Sequence, residues 1–176
     1  MFTRREALVA ISMLVAAKPS IGSTRPLLIG SYDTDRMHSI KPLTLPRIMV
    51  YDQTGTLIDR AAWPTELTKL KGTAGDAFCC VSDSPSTPGS TEPPPDCKPL
   101  VYGKDVREHF KGLRDTAGKS LAYESLPVHK HLLVDYYANW CSPCLPARRE
   151  LEAFLSGPAS KGYVGLVIDF SALSTD

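Results

Sequence analysis

Cys141 and Cys144 stand three positions apart in Trp140-Cys141-Ser142-Pro143-Cys144, directly after the apolar run Leu132-Leu133-Val134-Asp135-Tyr136-Tyr137-Ala138. Two thiols at this spacing can close to a disulfide and open again. If the run is a strand and a helix follows, the first thiol meets the positive end of the helix dipole, which favours a thiolate. The chemistry this allows is thiol–disulfide exchange. The other uses of such a pair fit less well. A structural zinc site would draw on a second CxxC, which the chain lacks, and covalent haem attachment would place His, not Leu145, after Cys144. No metal or cofactor is called for. An inert structural disulfide is the plain alternative.

The surrounding pattern supplies elements that position the pair. Residues 132–138 are almost continuously apolar, as expected of a strand covered on both sheet faces. Ala147, Leu151, Phe154 and Leu155 recur at helical spacing, with Arg148, Arg149, Glu150 and Glu152 on the other side. Gly157-Pro158 stops that helix, and Tyr163-Val164-Gly165-Leu166-Val167-Ile168 reads as a second buried strand. Strand, helix and strand in this order make a parallel βαβ unit. Pro146 is tolerated if the helix starts near Cys144 and disruptive if it starts earlier. His129 and His131 flank the first strand and read as solvent-facing.

Further upstream, Arg47-Ile48-Met49-Val50-Tyr51 predicts a strand, Asp52-Gln53-Thr54-Gly55 a turn, and Thr56-Leu57-Ile58 a return strand. Pro64 to Lys71 predicts a short helix, Ala77 to Val81 a strand, and Asp105 to Leu113 a helix. Residues 82–96, SDSPSTPGSTEPPPD, are a low-complexity loop with nothing to bury. Cys97 closes it, before a possible strand at 99–102. A disulfide from Cys97 to Cys79 or Cys80 would staple this loop, worth about 3 kcal/mol in the chain-entropy account. The alternative is three free, buried cysteines.

The N-terminus reads as a targeting segment. Thr3-Arg4-Arg5 is a basic start with twin-arginine character, and an apolar run from Ala7 to Ala17 is too short to span a bilayer. Residues 1–17 are expected to be an export signal, so a bacterial periplasm or similar oxidising setting follows, where disulfides persist. Residues 18–46 read as an extended leader, 47–111 as a small β-rich, Pro-rich region, and 112–176 as the domain that carries the dithiol. The chain has 20 Lys and Arg against 19 Asp and Glu. That balance gives no basis for nucleic-acid binding.

The stretch VDYYANWCSPC, within residues 131–170, resembles the thioredoxin superfamily. It has the aromatic before the first cysteine, the proline before the second, and an acidic residue six positions ahead. YANWC and the following REL-EAF run resemble exported members, such as the thioredoxin-like domain of the disulfide reductase DsbD or the TlpA and ResA group. AGKSLAYESLP resembles the lead-in strands of the TlpA group. The resemblance implies an α/β fold and exchange with protein thiols and disulfides, without a cofactor, with electrons from a membrane or periplasmic reductant. It implies Cys141 as the exposed nucleophile and Cys144 as the resolving thiol. Asp135, on a buried strand, should have a raised pKa and exchange a proton with Cys144. Trp140 would wall a docking surface, and Pro143 would fix the turn into the helix.

Two departures stand out. The family carries a cis-proline loop, two more strands and a helix after the second strand, whereas this chain ends at Asp176, so an incomplete fold is expected. Gly165 occupies the approximate place of the lysine that often partners the buried acid. A non-catalytic binding module on the same scaffold is the runner-up. A third reading comes from Asp52-Gln53-Thr54-Gly55-Thr56-Leu57, which resembles the phosphorylation motif of haloacid dehalogenases and P-type ATPases and implies magnesium-dependent phosphoryl transfer through Asp52. The same residues also suit a hairpin turn.

Overall fold

The structure is a computed structural model and describes residues 27–40, 43–73, 79–81 and 105–173. Residues 1–17, the loop 82–96, Cys97 and the expected strand at 99–102 lie outside the described residues. The elements are β1 (Leu27–Ser31), α1 (Thr34–His38), β2 (Leu43–Leu45), β3 (Arg47–Asp52), α2 (Thr68–Thr73), β4 (Cys79–Val81), β5 (Arg114–Asp115), β6 (His131–Tyr137), α3 (Cys144–Ser156) and β7 (Tyr163–Asp169). Among the described residues, no helix is long and apolar enough to cross a membrane.

β6 and β7 are parallel, with α3 between them in sequence, as the βαβ pattern requires. The sheet has five strands in the order β3-β6-β7-β1-β5. β3 and β5 are its antiparallel edges. β6 is buried at every position but its ends because both faces are covered. On one face lie α2, α3 and Trp63, packed on Ile48, Val50, Leu133 and Val167. On the other lie α1 and the segment Val106 to Leu113, packed on Met49, Tyr51, Leu132, Val134, Leu166 and Ile168.

Two sequence expectations change. Residues 27–31, read as part of an extended leader, form β1, which pairs with β7 from Leu27↔Gly165 to Ser31↔Asp169. The run Leu27-Leu28-Ile29 supplies the apolar side chains, and its partners lie more than a hundred residues away. The expected helix at 105–113 is instead a single 3-10 turn, Val106–Phe110, capped by the Asp105 side chain on the Arg107 N–H. β6 has a neighbour on its other edge as well. β3 lies there, in register from Arg47↔Tyr136 to Asp52↔His131. The bond between Leu45 and Pro46, just before β3, is cis.

The turn after β3 forms as expected, but the return strand at 56–58 is reduced to an isolated bridge between Tyr51 and Leu57. Gly55 takes φ +85°, a conformation that glycine adopts without strain. The smaller sheet pairs β4 with β2, Leu43↔Val81 to Leu45↔Cys79.

Candidate redox site

β6 delivers the chain to Ala138, where the backbone turns tightly. The Cys141 N–H donates to the Ala138 carbonyl at 3.2 Å, and the Cys144 N–H to the Cys141 carbonyl at 3.0 Å. α3 begins at Cys144, with Pro143 in the N-cap position and no side-chain cap. Cys144 is thus the first helical residue and Cys141 precedes the helix. Pro146 falls in the first turn, where backbone N–H groups have no partner within the helix, so the helix tolerates it. The sulfurs of Cys141 and Cys144 are at disulfide distance, and their Cα atoms are 5.3 Å apart. That spacing lies within the ordinary range for a disulfide.

The exposure of the first thiol differs from expectation. Cys141 is 0% exposed and Cys144 1%. Both belong to the apolar cluster that includes Met37, Leu45, Tyr136 and Phe170, with Trp140 half-buried against it. The segment following β7 holds this side closed. The Phe170 N–H donates to the Tyr137 carbonyl at 2.7 Å, and the Asn139 N–H to the Ser171 hydroxyl at 2.8 Å. Trp140 is therefore core packing as much as surface, and its buried indole N–H has no partner.

Asp135 is fully buried. Neither carboxylate oxygen has a hydrogen-bond partner, Cys144 included. The residue faces Ile48 on β3 and Val167 on β7 in the ladder, on the α3 side of the sheet. Burial pushes its pKa from 3.8 up to about 8, partly opposed by Arg148 and assisted by Glu152.

The other candidates fall elsewhere. The side chains of Cys79 and Cys80, like all of Cys97, lie outside the described residues. The Asp52 carboxylate is used by the hairpin turn. Its Oδ1 accepts from the Thr54 N–H at 2.8 Å, the Thr54 hydroxyl at 2.6 Å and the Thr56 N–H at 3.0 Å. The Thr54 hydroxyl, with these backbone amides, holds the Asp52 carboxyl below its ordinary range. His129 and His131, read as solvent-facing, are half-buried, with the His131 ring stacked on Tyr163 at 4.9 Å. Among the described residues, no group of three or more His, Cys, Asp or Glu side chains is placed to hold a metal ion.

His109 forms a second buried polar site, away from the dithiol. It is 2% exposed and sits between two buried tyrosines. Its Nε2 lies 2.5 Å from the Tyr51 hydroxyl and its Nδ1 2.7 Å from the Tyr136 hydroxyl, while the Tyr32 hydroxyl donates to its carbonyl at 2.6 Å. Burial lowers the His109 pKa from 6.5 to about 4, with Arg47 adding to the effect. Local spacing carries no trace of this cluster, because its members come from four separate segments.

The mixed α/β architecture with a five-stranded sheet is compatible with a thioredoxin-like fold. Among curated proteins, the chain is 36% identical over 56 residues to the thioredoxin-like protein CITRX, chloroplastic, of Solanum lycopersicum, and 34% identical over 56 residues to the protein of that name from Solanum tuberosum. Each match covers 32% of this chain and 32% of the relative, so it spans about a third of their length. No family model matches the chain. No solved structure matches it. The likeness to thioredoxin-like proteins is therefore a partial one.

Proposed function

We propose that this chain is an exported thiol–disulfide oxidoreductase of the DsbD or TlpA kind, acting on protein thiols through Cys141 and Cys144. The observation that carries this reading is the pairing of the two sulfurs at the junction of β6 and α3. Reduced Cys141 attacks a substrate disulfide and expels one substrate thiolate. Cys144 then attacks the Cys141 sulfur, releases the second substrate thiolate, and leaves the pair oxidised. Two electrons pass to the substrate, and two protons end on its sulfurs. Asp135, buried and without a hydrogen-bond partner, is the group that accepts the Cys144 proton and passes it on to the released substrate thiolate. A membrane or periplasmic reductant restores the dithiol. No cofactor takes part.

The test is insulin reduction by dithiothreitol-charged full-length protein. The reading expects turnover that Cys141→Ser abolishes, and equal turnover in both forms would sink it. A second reading, a binding module without turnover, draws support from the complete burial of Cys141. It expects no insulin reduction by either form.

A further inference from the structure

Cys79 and Cys80 are far from the dithiol in sequence, yet one short strand relates them to it. β2 pairs antiparallel with β4, with Leu45 opposite Cys79 and Thr44 opposite Cys80. Opposite positions in such a ladder share a face, with Cα atoms about 4.5–5.5 Å apart. Cys79 therefore holds the register position of Leu45, and Cys80 that of Thr44. The two positions differ. Leu45 is fully buried in the apolar cluster that contains Cys141 and Cys144, whereas Thr44 is half-buried. Past Leu45 the chain bends at Pro46 into β3, whose ladder with β6 begins at Arg47↔Tyr136. The same register continued past Arg47 runs to Leu45 and Ala138, both fully buried in that cluster. The Ala138 carbonyl accepts from the Cys141 N–H at 3.2 Å. Leu45 thus meets the Cys79 position through one ladder and the dithiol turn through the other. The complete burial of Cys141 also favours an attacking thiol held within the fold over one that must enter from outside.

We propose that Cys79 is an internal exchange partner of Cys141, so that the chain carries its disulfide in either of two places. The Cys79 thiolate attacks the Cys141 sulfur and the Cys141–Cys144 bond breaks. Cys144 leaves as a thiolate and takes up the proton that Cys79 lost. A Cys79–Cys141 disulfide replaces the Cys141–Cys144 disulfide, so no outside oxidant or reductant enters. Attack of the Cys144 thiolate on the Cys141 sulfur reverses the step. While bonded to Cys79, Cys141 cannot attack a substrate disulfide, so the exchange is also a brake on the site. The exchange chemistry of Cys141 and Cys144 rests on the redox reading; the internal partner goes beyond it.

The test is disulfide mapping of the full-length chain by mass spectrometry. Cys144→Ser takes away the other partner of Cys141. The reduced variant is oxidised with oxidised glutathione, alkylated and digested. The expected product is a Cys79–Cys141 link, lost when Cys79→Ser is added and kept when Cys80→Ser is added. Cys141 left free, or joined to glutathione, Cys80 or Cys97 instead, would overturn the proposal. Should Cys144→Ser fail to fold, the intact chain decides. With only the dithiol oxidised, acid quenching and unfolding should leave a share of Cys144 open to alkylation, and Cys79→Ser should abolish that share. Equal Cys144 labelling in both forms would overturn the proposal. A Cys79–Cys141 link without insulin reduction sinks only the reading of outside substrates, whereas normal insulin reduction with no such link sinks this proposal alone.

Discussion

Asp135 faces Ile48 across the ladder between β3 and β6, so an ionisable group stands in a row of aliphatic side chains beneath α3. The strand that buries it comes from the N-terminal half of the chain. The acid on β6 and the strand that desolvates it are therefore parts of one device, though more than eighty residues separate them.

That relationship predicts a pH-dependent stability. The folded-state pKa of Asp135 lies above its ordinary value, so its stabilising contribution is complete below about pH 4 and is lost as pH rises toward about 8. Asp135→Asn removes the penalty. In urea unfolding, the variant should gain on the wild type by a few kcal/mol between pH 5 and pH 8. Parallel stability profiles would contradict the burial of an unpaired carboxylate.

His109 predicts the opposite limb. Its pKa is depressed, so its contribution is present above about pH 6.5 and is lost as pH falls toward about 4. His109→Phe keeps the ring volume but strips Tyr51 and Tyr136 of a hydrogen-bond partner. The expected loss is about 2–4 kcal/mol at pH 7, with a flatter acid limb, both read by chemical denaturation.

The closed site predicts slow labelling. In the reduced protein at neutral pH, Cys141 should react with a bulky maleimide much more slowly than in unfolded chain. Ser171→Ala removes the acceptor of the Asn139 N–H and loosens the segment beside the dithiol. Labelling of Cys141 should then speed up several-fold, since one hydrogen bond is worth about 1 kcal/mol. Peptide-resolved mass spectrometry checks both rates.

Gly30 tests whether β1 belongs to the sheet. A Cβ there would meet the Arg114 carbonyl oxygen at 2.9 Å and the side chains of Leu113 and Leu121 at 3.0 Å. Gly30→Ala should cost about 1–3 kcal/mol in a denaturant titration. A flexible leader would tolerate the change without effect.

The β6–α3–β7 unit was legible because its signals are local: a long apolar run, a helical period and a Gly-Pro stop. The burial of Asp135 followed from the same run. β1 was not legible, since five residues in a Pro- and Ser-rich stretch gain their strand character only from β7 and β5. The segment around His109 closes as a 3-10 helix at Val106–Phe110, and local pattern does not separate that from a short α-helix. The burial of Cys141 escaped for a related reason. Cys141 shares its apolar cluster with Leu45 and Phe170, neither of which lies near the dithiol in sequence. The Pro/Ser loop and its three cysteines stand apart from this comparison, as their side chains lie outside the described residues.

The central claim is that the Cys141–Cys144 pair passes electrons to protein disulfides. The most direct measurement is a stoichiometric transfer. Full-length protein is reduced, freed of reductant and mixed with an equal amount of insulin, and each cysteine is followed by peptide-resolved alkylation. The account predicts that Cys141 and Cys144 lose their labels together as insulin thiols appear in equal number. Insulin that stays oxidised while both cysteines remain free would contradict it.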